Sequence, residues 1–374
     1  MEYKRLGDIA TYINGFAFKP EDRGLEGLPI IRIQDLTGNS YDKGFYNGEY
    51  PKRIEINDGD VLISWSASLG VYIWDGGKAL LNQHIFKVAF DKVYVDKLYF
   101  VYAVKHNLKL MELKTHGATM KHIVKKDFDN VMIPFPNLNK QVEISRILKC
   151  AEDIIEKRKE ELTVLDDLIK ARFVEMFGDP ICNPNGYPVK NFEDISVLIT
   201  DGEHATPRRT EKGIYLLSAR NILNHALQLE NVDYIDEDEY VRIGKRVIPK
   251  EGDVLISCSG SIGRCCVVPE DFKFQMVRSV ALIRFNETIN PVFAEWLITT
   301  DEIQRQIIKS ATQSSQANLF QGKIRKLHGY IPPIELQCEF ADFVQQINKS
   351  KVVVQQALDE AQTLFDSLMQ KYFG

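Results

Sequence analysis

Several short stretches of this sequence concentrate side chains suited to phosphates and base edges. In TDGEHATPRRTEKG (residues 200–213) a turn at Asp201-Gly202 is followed closely by His204, Thr206, Arg208 and Arg209. A loop with paired arginines can grip phosphate or guanine, because each guanidinium offers a planar fork of donors. The matching stretch NGFAFKPEDRG (residues 14–24) carries Asn14, Lys19 and Arg23 beside Phe16 and Phe18. The two loops hold different side chains in the same place, as expected of two readers with different targets. A second pair of stretches, GATMKHIVKKDF (117–128) and QSSQANLFQGKI (313–324), sets Thr119, Lys121 and His122 where Ser315, Ala317 and Asn318 stand, with Gln316 between Ser315 and Ala317. The polar residues among these suit phosphate contacts, and a solvated loop leading into a helix accounts for them equally.

The third pair is nearly a repetition. GDVLISWSASLG (59–70) returns as GDVLISCSGSIG (252–263), with nine of twelve positions identical. Ser64, Ser66 and Ser68 alternate, as do Ser257, Ser259 and Ser261, and period-two hydroxyls at a strand end are expected to face one side. A polar surface for a phosphate backbone is one reading. A hydroxyl ladder that supports a turn is the other, and it is favoured because the phrase scarcely differs between its copies. Arg264 follows the second copy, and Arg220 lies in the apolar-to-polar stretch GIYLLSARNI.

Catalytic constellations are missing. There is no G-x-x-x-x-G-K-[ST], no G-x-G-x-x-G after a strand, no H-E-x-x-H and no C-x-x-C. The nearest approach to an N-P-P-[YF] signature is Asn183-Pro184-Asn185-Gly186, which lacks the second proline and the aromatic. Asp253 with Asp271 and Lys273 can be forced into a nuclease-like spacing, but the first copy keeps only Asp60, so both aspartates read as turn residues opening a buried strand. Seven histidines are scattered without a helical or strand-spaced pair, and no metal or cofactor is expected in this chain. The six cysteines suit a reducing, cytoplasmic setting, and no apolar run approaches a membrane span.

The elements that must hold these residues are themselves duplicated. LPIIRIQDL (28–36) falls on IYLLSARNI (214–222), Gly15 on Gly202, MIPFPNLNKQVEI (132–144) on GYIPPIELQCEF (329–340), and Phe177-Gly178 on Phe373-Gly374. The repeat is far too long for a solenoid, so it is a tandem of whole domains. Each copy begins with short apolar runs bounded by Gly, Asp and Asn, which read as strands, with a helical stretch at 95–114 or 290–309. Each then passes a pair of prolines into a region with 4-3 apolar spacing: Ile144, Leu148, Ile155, Leu162, Leu165 and Ile169 in one, Phe340, Val344, Ile347, Leu358, Phe365 and Leu368 in the other. That is a coiled-coil seam, and two seams in the same heptad phase are simplest to pack on each other. Arg158, Arg172 and Lys351 interrupt the stripe, either to fix register or to snorkel past it. A helix over 144–176 would run on the order of 50 Å. The expected fold is mixed α/β (α+β) with a pseudo-two-fold repeat: globules at 1–137 and 179–333, and long helices at 138–178 and 334–374 packed antiparallel. With 374 residues, each globule can bury its own core, whereas the net charge of −5 does not by itself announce a nucleic-acid binder.

TDGEHATP followed by GIYLLSARNI, the GDVLIS-x-S-x-S-x-G phrase and IPPIELQ at the start of a long helix, in this order across the whole chain, resemble the specificity (S) subunit of type I restriction–modification systems. The resemblance implies two target recognition domains, each reading one half of a split site in double-stranded DNA. It implies docking of two copies of a methyltransferase subunit and recruitment of restriction/translocase subunits. It also implies that S-adenosylmethionine, ATP and Mg are used only by those partners, leaving this chain non-catalytic. NGFAF stands in the first copy where the second has DGEHATP, so reading residues do not transfer between the halves. Two alternatives remain: a stand-alone tandem DNA-binding protein without methyltransferase partners, and a structural protein built on the coiled coil.

Overall fold

A computed structural model describes residues 2–114, 123–311 and 318–374, with no side-chain description for 112–114. The chain divides into two compact units, residues 1–159 with 356–374, and residues 160–355. Each long helix therefore gives one half to each unit.

In the first unit, apolar runs of four to five residues form an antiparallel sheet in the order Thr11–Asn14, Ile85–Ala89, Val61–Ser64, Gly70–Ile73. Val61–Ser64 is central and buried throughout, which is why VLIS reads as a continuous apolar run. A second sheet orders Phe45–Tyr46, Leu28–Ile31, Ala79–Leu81 and Glu55–Ile56, with Leu28–Ile31 and Ala79–Leu81 parallel. The second unit repeats the plan. Ser196–Asp201, Val280–Phe285, Val254–Ser257 and Cys265–Val267 form its antiparallel sheet, and Ile214–Leu217 runs parallel to Phe274–Met276 beside Asp233–Ile235.

The aligned helical stretches differ in detail. Lys97–Lys114 is one helix, whereas its counterpart breaks into Pro291–Ile298 and Asp301–Ala311. The break has a local cause: the Thr299 and Thr300 hydroxyls donate to the carbonyls of Trp296 (2.9 Å) and Leu297 (2.7 Å), competing with the helical ladder.

The long helices cover Leu138–Phe177 and Ile334–Phe373. In the first unit Ile144, Leu148, Ala151 and Ile155 share a core with Phe365, Met369 and Phe373; in the second, Ile169, Phe173 and Phe177 share one with Phe340 and Val344. The early half of one helix thus lies against the late half of the other in each unit, an antiparallel arrangement. Leu162, Leu165, Ile347, Leu358 and Leu368 are half-buried. Toward each C-terminal end the buried stripe leaves the heptad positions and falls on 169/173/177 and 365/369/373. A straight helix drifts against a 3.5-residue repeat, and here the drift is anchored by the globules. Phe177 packs edge-on to Phe293 (4.9 Å between centroids), and Phe373 lies 5.2 Å from Tyr99. Arg172 consequently turns sideways to Glu175 and Glu339, and Lys351 pairs with Asp166 at 2.6 Å.

Candidate nucleic-acid interface

Two glycines bring an edge strand and its loop onto the sheet. A Cβ on Gly15 would stand 2.0 Å from the Asn82 carbonyl oxygen, and one on Gly202 would stand 2.3 Å from that of Met276. Only glycine permits this approach, which explains why Gly15 and Gly202 align. After each glycine the backbone is pinned twice. Phe16 N–H donates to Leu81 and Gln83 N–H to Phe16 (both 2.8 Å); Glu203 N–H donates to Met276 (2.9 Å) and Arg278 N–H to Glu203 (3.0 Å).

In the second unit the loop beyond Gly202 enters a mosaic of guanidinium and carboxylate groups. Asp201 accepts from His204 Nε2 at 2.7 Å and also pairs with Arg246. Asp233 is shared by Arg209 (3.1 Å) and Arg220 (3.0 Å). Glu239, only 1% exposed, takes a two-pronged contact from Arg242 (2.8 and 3.0 Å) and accepts from both the backbone (3.1 Å) and the Nε (3.3 Å) of Arg208. The Arg242 fork, then the Arg208 contacts, hold the Glu239 carboxyl at about 2, well below its ordinary 4.5. Asp201, His204, Arg208, Arg209 and Arg220 are therefore assembled on one surface, with Thr206 exposed on the same loop. The arginines are anchored rather than free: each spends donors on a carboxylate and retains others, since a guanidinium carries five N–H groups.

Arg242 and Arg246 complete this cluster and were not singled out in the sequence. Arg242 lies in the last turn of the helix Glu237–Gly244 and Arg246 just beyond its end, far along the chain from the loop. The acid-then-base run EDEYVRIGKR is the signal that could have pointed to them.

The serine phrase is mainly a turn support. Strands Val61–Ser64 and Val254–Ser257 end at the first serine, so the later hydroxyls do not line one strand face as the period-two reading expects. Ser64 Oγ donates to the Ser68 carbonyl at 2.6 Å; Ser257 Oγ donates to that of Ser261 at 2.6 Å and accepts from Arg264 N–H at 3.0 Å. Both first serines are fully buried. Ser66 is half-buried and Ser68 and Ser261 are exposed, while the Arg264 side chain is half-buried. Ser259 bridges to Asn318 through the backbone. Asp201, His204, Ser259, Arg278, Ser279, Asn318 and Gln321 line a cleft of about 490 Å³.

The first unit fills the corresponding place with aromatic rings. Trp65 stands where Cys258 does, stacks 5.6 Å from Phe86, lies 4.9 Å edge-on to His84 and donates its Nε1 to Asn14 at 3.3 Å. Phe16, Phe18 and Tyr46 form an edge-to-face chain at 5.1 Å spacings. Arg23 pairs with Asp42 (2.7 Å), as does Arg32, and the two guanidiniums hold the Asp42 carboxyl below the usual range. Lys19 projects into solvent, 74% exposed. Thr119, Lys121, His122, Ser315 and Gln316 lie outside the described residues.

The aspartates of the forced nuclease spacing are turn residues. Asp60 accepts from Asn57 N–H and pairs with Lys87; Asp253 accepts from Lys250 N–H and is clasped by Arg284 at 2.7 Å through both oxygens. Lys273 pairs instead with Glu237. Cys258, Cys265 and Cys266 are buried thiols, with Cys258 pushed up to about 12 by desolvation. Among the described residues no helix is long and apolar enough to cross a membrane.

Residues 1–164 and 188–361 each match the family described as the type I restriction modification DNA specificity domain. The chain is 24% identical to the type I restriction enzyme EcoBI specificity subunit of Escherichia coli, over 98% of this chain and 84% of that protein. It is 22% identical to the MjaVIII specificity subunit of Methanocaldococcus jannaschii, over 93% and 86%. Its fold is similar to the crystal structure of the type I restriction–modification S subunit from M. genitalium, with a TM-score of 0.60 and 14% identity over 100% of this chain and 96% of that one. A chain from a structural study of type I complex assembly and conformational transition aligns with a TM-score of 0.59 at 14% identity, over 99% and 97%.

Proposed function

The chain belongs to the type I restriction modification DNA specificity domain family, and from that premise we propose that it is the DNA-reading subunit of a type I restriction–modification enzyme. Each unit reads one half of a split site in double-stranded DNA. The observation that carries this reading is one backbone frame built twice in a single chain, with different side chains at equivalent exposed places. A frame held by Gly15 and Gly202 and by the buried Ser64 and Ser257 is common to both copies. An aromatic surface in one unit and an arginine-carboxylate mosaic in the other would meet different bases.

In this reading Asp201, Asp233 and Glu239 act as positioning residues. They aim Arg246, Arg209, Arg220, Arg208 and Arg242 so that the remaining donors meet phosphates or base edges at reduced entropic cost. Lys19 and Arg23, and Thr119, Lys121 and His122 of the segment outside the described residues, serve the first half-site. The globules at 1–137 and 179–333 are the target recognition domains, and the helices at 138–178 and 334–374 set the unread gap. The chain catalyses nothing itself. Two copies of a methyltransferase subunit use S-adenosylmethionine, restriction/translocase subunits use ATP and Mg, and the assembly works in the cytoplasm. A chain of net charge −5 binds DNA weakly alone, so much of the phosphate contact falls to the methyltransferases.

The test is sequencing of modified bases in the native host with the gene intact and deleted. Loss of methylation at one motif of two short parts and a fixed gap supports the reading. Survival of every modified motif refutes it and favours a stand-alone binder.

A further inference from the structure

We propose that residue Arg278 in the second unit, and Gln83 at the same backbone position in the first, are specificity-determining residues: Arg278 reads a guanine of its half-site, and Gln83 an adenine of the other. This assignment rests on the DNA-reading function above. Neither residue belongs to the loops whose composition first suggests recognition; both precede the strand that follows, Val280–Phe285 or Ile85–Ala89.

Three observations single out this position. The backbone there is held more firmly than an ordinary loop. Arg278 N–H bonds to Glu203 and Gln83 N–H to Phe16, each beside a glycine that lies against the neighbouring segment too closely to admit a Cβ. The side chains at both positions are nevertheless exposed. A fixed Cα carrying a free, solvent-facing side chain is the arrangement direct readout needs, because a bidentate contact tolerates little error in placement.

The electrostatics supply the second observation. Arg208, Arg209, Arg220, Arg242 and Arg246 are all committed to carboxylates. Arg278 rims the polar cleft, and its guanidinium has no carboxylate within ion-pairing distance among the described residues. Among the described residues it keeps its whole donor fork for an incoming acceptor pair, and the guanine Hoogsteen edge, O6 with N7, is the pair that fork fits. The third observation is the exchange between units. Where one frame position carries Arg in one copy and Gln in the other, the amide offers one donor and one acceptor, which matches adenine N6 and N7. Identical frame and non-identical exposed residue is what distinguishes a reader from a support such as Ser64 and Ser257.

The experiment is modified-base sequencing of the host carrying the intact gene, a deletion, Arg278→Gln or Gln83→Arg. With Arg278→Gln the split motif is expected to lose its demand for guanine at one base pair of one half-site, by about ten- to a hundredfold in methylation of guanine over other bases, the other half-site staying unchanged. Gln83→Arg is expected to alter the opposite half-site alone. If Arg278→Gln abolishes methylation, Arg278→Lys and a thermal melt decide. A folded variant whose original motif returns with lysine supports the assignment; a variant that has lost its fold overturns it, because an exposed reader can be exchanged without unfolding the unit. If deletion erases a split motif but Arg278→Gln leaves it base for base the same, the assignment fails and the DNA-reading function stands. If deletion erases nothing, both fall.

Discussion

Glu239→Gln tests whether the arginine-bearing loop is held electrostatically. The carboxyl is buried, receives the Arg242 fork and both Arg208 contacts, and sits at about 2 instead of 4.5. A depression of that size corresponds to about 3 kcal/mol if fully expressed as stability. The Arg242 and Arg208 side chains are 43% and 69% exposed, so solvent screens the pairs, and about 1 to 2 kcal/mol is the expected share. Because the folded value is depressed, the contribution is fully present above pH 4.5 and is lost as pH falls from there toward 2. Amide exchange over residues 205–213 and 237–244 reads it directly. Glu239→Gln should exchange about 5- to 30-fold faster at pH 7, with the ratio to wild type, taken at each pH, shrinking between pH 5 and pH 3. Gln can still accept from the Arg208 backbone N–H through its one oxygen, while its NH2 replaces the oxygen that takes the Arg208 and Arg242 Nε contacts, so the change removes the charge and those contacts together. A ratio near one at pH 7, or a large ratio that does not shrink with acid, refutes the argument.

Other expectations follow from the frame. Ser64→Ala and Ser257→Ala each remove a buried hydroxyl that closes a turn, and each should cost its own unit about 1 to 3 kcal/mol in urea unfolding. Gly15→Ala and Gly202→Ala drive a Cβ into backbone carbonyls and should cost at or above the upper end of the about 1 to 3 kcal/mol typical of overpacking, read as a lowered thermal midpoint. Gly260→Ala is the contrast: nothing lies within 4 Å of its Cβ, so only its φ of +68° opposes the change, and the midpoint should fall much less.

The repeat, the strand-rich mixed α/β globules and the long helices were legible in the sequence because each leaves a mark in its residue pattern. VLIS is a continuous apolar run because its strand is buried on both faces, and the helices carry their spacing over 40 residues each. Two things were not legible. The seam was followed past Ile169 on heptad spacing, whereas Phe173 and Phe177 take over because a second partner, Phe293, lies beside them. Three serines spaced by two looked like one strand face, whereas the strand stops at the first; where a strand ends depends on its neighbours' register, which periodicity does not encode.

The candidate interface was half legible, and the division has a physical basis. Loop residues 201–209 stand out because arginine and histidine are conspicuous beside a turn. The distant carboxylates that hold the loop arginines do not, since Asp233 lies 24 residues from Arg209 and Glu239 31 residues from Arg208. Gln83 and Arg278 were hidden for a related reason. Only the hydrogen bonds that their N–H groups donate to Phe16 and Glu203 show that these two positions, whose alignment offset differs from that of the neighbouring glycines, are one place in the frame. A repeated frame conserves backbone contacts rather than letters, so the residues that distinguish its two copies come into view only when aligned through those contacts.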